Sequence, residues 1–288
     1  MPGDDAIPGI DAMMDGSTTG ADAPSNLRCD PGKPFGTPIV LSALSSSFDE
    51  VTFALSGDEL TAFLGRVTAG NPGTMLSTAT RGSAVQAFGA PTVSPMVAAI
   101  NSADGAEYSP SATNDALVLY FHRQTSDGNI GVYAALRADA QSNFDGGSLV
   151  NVGGSGLTSA LAPVISADGQ TLYWLDFQNF QLHSARRQNT PLVFGPAMVA
   201  STIPVYNPVL SRDELTLYYA NGFAIDVLVS TRLSKNEAFG TGVPAANVNS
   251  SDNDAPVYLT TDGCVLYLSS KRSGGSGGYD FWEARRPL

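Results

Sequence analysis

Lysine is scarce in this chain: Lys33, Lys235 and Lys271 are the only three among 15 basic residues, against 27 acidic ones and a formal net charge of -12. Such a surface repels phosphate backbones and anionic lipid, which argues against nucleic acid and membrane surfaces as partners. An acidic excess is also the ordinary way for a soluble protein to stay soluble. No apolar run approaches the ~20 residues that span a bilayer. A basic region followed by an apolar stretch is missing at the start, so an exported form would have lost its signal before Met1.

Cysteine is nearly absent too. Cys29 and Cys264 are too few and too far apart for a zinc site of Cys-x-x-Cys type, leaving two buried thiols or one long-range disulfide. His122 and His183 have no His, Cys or Asp at metal-ligand spacing. A Gly-x-Ser-x-Gly elbow is missing, and the glycine-rich residues 273–278 lack the strand-loop-helix setting that cradles phosphate. Neither a metal nor a cofactor is expected.

Residues 1–34 carry six aspartates against Arg28 and Lys33 and have no aromatic residue. That composition cannot offset the entropy of ordering, so a disordered acidic tail or tether is expected there. The folded domain is expected over residues 35–288, and its length allows a sizeable core.

What is abundant is repetition. Asp58, Asp115, Asp168, Asp213 and Asp262 mark turns separated by 57, 53, 45 and 49 residues. Two positions before each stands a hydroxyl (Ser56, Thr113, Ser166, Ser211, Thr260), and five after each an aromatic (Phe63, Tyr120, Tyr173, Tyr218, Tyr267). An arginine follows 19 to 24 residues beyond each aspartate, at Arg81, Arg137, Arg187, Arg232 and Arg286. Phe-Gly comes next at Phe88, Phe194 and Phe239, degenerates at Phe144-Asp145, and for the fifth unit is displaced to the front as Phe35-Gly36. A period near 50 residues with short strands and turn signals predicts a five-bladed β-propeller of four-stranded antiparallel blades, all-β with close to no helix. Residues 35–42 would then form the outer strand of the last blade and remove an open edge.

The segments beginning at Pro163, Pro208 and Pro256, together with the Ser270-Lys-Arg-Ser-Gly-Gly-Ser-Gly-Gly-Tyr-Asp-Phe-Trp stretch, resemble the WD40-like repeats of the TolB-type propeller family. The resemblance covers residues 35–288 and is weakest in the first unit. It implies an exported protein, periplasmic, anchored at the outer membrane or extracellular, that acts as a binding or assembly platform. TolB itself has six blades beside an N-terminal domain, so its partners are not carried over.

The repeated aspartates, aromatics and arginines read as blade construction, because a residue present in every unit builds the unit. Glu50, Glu107 and Asp254 differ: they open the inner strands of units one, two and five only, where units three and four have Ala160 and Val205. Ring closure makes those three units neighbours, so the carboxylates are candidates for a ligand site at one channel mouth. Their plain alternative is strand capping. Separated carboxylates on inner strands would also suit glycoside processing, and Trp174 and Trp282 are candidates for sugar stacking or for packing between blades. The expected function is a monomeric, non-enzymatic module binding an unknown protein or glycan, with a carbohydrate-binding or glycoside-processing propeller as the alternative. Closure also predicts a Cys29–Cys264 disulfide, since both cysteines enter the same blade from the same edge, and such a bond requires an oxidising compartment.

Overall fold

The computed structural model describes residues 28–67, 74–101, 105–222 and 226–288. The expected tail lies outside the described residues as far as 27. From Arg28 onward the chain is held: Arg28 pairs with Glu59 and Asp262, and Asp30 donates its N–H to Pro287.

The architecture is an all-β propeller. Four of its sheets have four strands in antiparallel order, with inner strands Gly105–Ala112, Ala160–Ile165, Tyr206–Leu210 and Asp254–Leu259. The first repeat stops at three, Glu50–Leu55, Thr61–Val67 and Thr74–Thr80, with a single bridge between Thr78 and Thr92 where a fourth strand would lie. A sixth sheet is formed by Ser155–Gly156, Asn151–Val152 and Val193–Phe194, the last two running parallel. The expected five blades are therefore corrected to six. The extra sheet escaped the repeat because its strands are two residues long and carry no aspartate turn. Among the described residues the one helix is Pro95–Ala98.

Ile39–Val40 pairs antiparallel with Asp280–Arg285, as Ile39 opposite Glu283 and Val40 opposite Trp282, and forms the edge of the sheet containing Tyr267. Phe35 fills the place of the missing Phe-Gly of the fifth unit, with the Arg286 guanidinium 4.2 Å from its ring centre. The same stacking joins Arg81 to Phe88, Arg137 to Phe144 and Arg232 to Phe239. Cys29 and Cys264 are disulfide-bonded, with Cα atoms 5.6 Å apart.

Each aspartate turn is built alike. The preceding hydroxyl donates to Asp Oδ1 at 2.5 to 2.7 Å, and the same oxygen accepts an N–H two residues on. The next residue is left-handed in every copy: Glu59, Ala116, Gly169, Glu214 and Gly263, with φ from 53° to 73°. A left-handed residue costs free energy unless it is glycine. In three copies an arginine Nε holds its carbonyl, from Arg81 to Glu59, Arg137 to Ala116 and Arg232 to Glu214. The column aromatics are buried and pack onto the following sheet; Tyr267, for example, stacks on Phe53 at 4.7 Å. Burial between sheets is what a single unit cannot achieve alone.

Candidate binding site in the central channel

The five inner strands follow one another around a central channel holding a cavity of about 110 Å³. An inner strand has one edge without a partner, a liability that proline blunts because it offers no N–H. Pro110, Pro163, Pro208 and Pro256 all line the channel. Ser109, Ala162 and Asn207, immediately before three of them, are left-handed with φ from 45° to 50°, and the strand register slips at the same points. Non-glycine residues in this region store strain. It is confined here to the second, third and fourth repeats.

The lining is hydroxyl, amide and apolar, and Arg212 is its single charged residue. In a chain of net charge -12 the channel wall thus carries no carboxylate among the described residues. Tyr258 supplies a partly buried aromatic wall, backed by Phe53 and Tyr267 at 6.2 Å each.

Glu50 and Asp254 open their strands as expected and Glu107 is the third residue of its own, but all three stand outside this lining. Each is at most 1 % exposed and faces its own arginine: Glu50 with Arg66 at 2.8 Å, Glu107 with Arg123 at 2.9 Å, and Asp254 with Arg272 at 2.5 Å. Glu50 also accepts from the N–H and hydroxyl of Ser46, and Asp254 from Ser250 and Ser270. The arginines reach on to the carbonyls of Leu44, Ile100 and Val248, fastening the segment that leads into each strand. Burial pushes the Glu50 carboxyl above its ordinary pKa, against the lowering effect of Ser46 and Arg66. Sequence reading missed the arginines, although Arg66 and Arg123 each stand 16 residues after their acids and directly across the sheet.

In the third repeat Ala160 stands opposite Asp176, and in the fourth the buried Val205 immediately precedes a strand whose first residue, Tyr206, lies opposite Ala220. Tyr206 stacks on Phe180 at 4.6 Å. His122 stacks on Tyr108 at 5.0 Å and accepts the Ala162 N–H at Nδ1, so its neutral form carries the proton on Nε2. Burial drives its pKa down to about 3. Trp174 and Trp282 are 4 % and 6 % exposed, the burial of packing residues rather than of a sugar platform. Among the described residues no group of three or more His, Cys, Asp or Glu side chains is placed to hold a metal ion, and no helix is long and apolar enough to cross a membrane.

No family model matches the chain, and no curated protein matches it. Solved structures do. The GH43_1 enzyme from Xanthomonas citri, complexed with xylotriose, aligns at TM-score 0.61 and 14 % identity over 87 % of this chain and 90 % of its own. The alpha-L-arabinofuranosidase PaAbf62A from Podospora anserina, in complex with cellotriose, aligns at 0.53 and 13 % over 90 % and 99 %. TolB from Acinetobacter baumannii reaches 0.47 and 13 % over 85 % and 57 %. Likeness at this identity establishes the propeller fold and nothing finer, so membership in the TolB-type family is not carried by it.

Proposed function

We propose that this propeller is an exported, non-enzymatic binding module whose central channel receives the hydroxyl-bearing body of a small ligand. The observation that carries the reading is the disposition of the carboxylates. Glycoside hydrolysis needs two carboxyl groups flanking a shared cavity. Here Glu50, Glu107 and Asp254 are enclosed in separate arginine pairs, the channel wall is neutral apart from Arg212, and Asp213 and Asp262 in the adjoining cleft are tied into their own turns. Export is supported by the Cys29–Cys264 disulfide, a bond that persists in oxidising compartments.

Carbohydrate is the ligand class favoured by the wall itself, because Tyr258 offers a ring face beside Ser109, Asn207 and Thr261. The neighbours solved with xylotriose and cellotriose make those sugars the first probes. Titration of the oxidised protein with each should raise its Tm, and incubation should leave the sugars intact by chromatography. Cleavage would overturn the non-enzymatic reading. Absence of any shift with a broad glycan panel would move the binding surface from the channel to the outer faces.

A further inference from the structure

The channel does not end blindly on its lower side. Ser211, Arg212, Leu259 and Thr261 line both the channel cavity and a second, wider cleft of about 580 Å³ between the fourth and fifth repeats. That volume lies within the range of small-ligand sites. The cleft is bordered by two arginines and two aspartates, and three of the four are already engaged. Arg286 is held by the carbonyls of Pro31 and Lys33, the Tyr218 hydroxyl and the Phe35 ring. Asp262 accepts from Thr260, Cys264 and Arg28, and Asp213 from Ser211 and Leu215. Those hydroxyl and amide donors outweigh burial and hold both carboxyls below their ordinary pKa, so they stay ionised acceptors bound within their own turns. Arg212 is left over: it is exposed, and among the described residues its guanidinium has no ion pair, hydrogen bond or ring contact.

We propose that the junction of channel and cleft is an anion subsite in which Arg212 receives a carboxylate, so that the ligand is an acidic saccharide of the hexuronate kind. The inference rests on the sugar-binding reading above and narrows it. A guanidinium presents paired N–H donors matched to a carboxylate, and charge assistance strengthens those bonds. The neutral channel adjoining it suits the hydroxyl-bearing remainder, which leaves charge as the discriminating feature at one end only. Repulsion from the distant acidic surface is screened beyond roughly 8 Å at physiological salt, and the charge of Asp213 and Asp262, which border the same cleft, is partly offset by the donors of their own turns.

The test compares digalacturonic acid with neutral galactobiose on the full oxidised chain by calorimetry, at 50 and 300 mM salt. Digalacturonate should bind at least tenfold more tightly at the lower salt, with the preference shrinking at the higher. Arg212→Ala should bring the acidic sugar down to the neutral one, Arg212→Lys should restore part of the gap, and Arg186→Ala, an exposed arginine outside both cavities, should change nothing. Equal binding of the two sugars, or a preference that survives Arg212→Ala, overturns the anion subsite while the sugar reading stands. Failure of both sugars to bind overturns the anion subsite, and the sugar reading is then decided by the broad glycan panel.

Discussion

The upper ends of the inner strands divide the ring into two unlike arcs. In the fifth, first and second repeats each strand carries at or near its start a carboxylate sealed by an arginine. In the third and fourth the matching places hold Ala160 and Val205, and order comes from Phe180 on the adjoining Tyr206 and from the His122–Ala162 hydrogen bond between repeats. The lower turns are the same in all five. Asymmetry in a repeat protein is therefore not in itself a binding site: the residue opposite must be known first. Where the opposite residue is an arginine tied to a connecting segment, the acid is an anchor.

The ion-paired arc also contains the seam of the ring, and the largest expected effect is there. Replacing Cys29 and Cys264 by Ser releases a constraint spanning 235 residues, which chain-entropy models value at roughly 5 kcal/mol. Urea unfolding of the oxidised protein and the double variant should differ by several kcal/mol, and reductant should abolish the difference. Next comes the anchor itself. Glu107→Ala leaves the Arg123 guanidinium without its buried carboxylate partner, at a cost of about 3–5 kcal/mol, whereas Glu107→Met with Arg123→Leu should recover most of it. If the double variant is as unstable as the single one, the pair is more than an anchor. On the other arc Phe180→Ala should cost less, about 1–2 kcal/mol, since the ring is only half-buried.

Much of this fold was legible because the repeat is written in side chains that build turns. Ser56 with Asp58 and Arg81 with Phe88 meet through local bonds, and a fixed offset in sequence becomes a fixed contact. The displaced Phe35 and the pairing of Cys29 with Cys264 followed from the same periodicity. The sixth sheet did not, because Asn151–Val152 and Val193–Phe194 meet across some 40 residues through backbone bonds that leave no side-chain pattern. The site was less legible still. Glu50, Glu107 and Asp254 announced themselves by being unequal, while the channel wall of serines, prolines and Tyr258 is ordinary in sequence and becomes a cavity only when five strands converge.

The last comparison is decided by sign rather than size. Burial holds the Glu50 carboxyl above its ordinary pKa and the His122 imidazole down at about 3, so the two groups respond to pH in opposite ways. For Glu50 the unfolded chain gives up its proton first, and the contribution present at low pH is lost as pH rises through the raised value. For His122 the unfolded chain takes up a proton near pH 6.5 while the folded one does not, so stability is lost progressively as pH falls from there towards 3. Urea unfolding of wild type, Glu50→Gln and His122→Gln at pH 7, 6, 5 and 4 separates the two. Against His122→Gln the wild type should lose ground with each step down in pH; against Glu50→Gln it should gain. Parallel curves for the two comparisons would mean that Glu50 ionises as freely as a surface glutamate and that His122 is charged in the fold, which its hydrogen bond from the Ala162 N–H forbids.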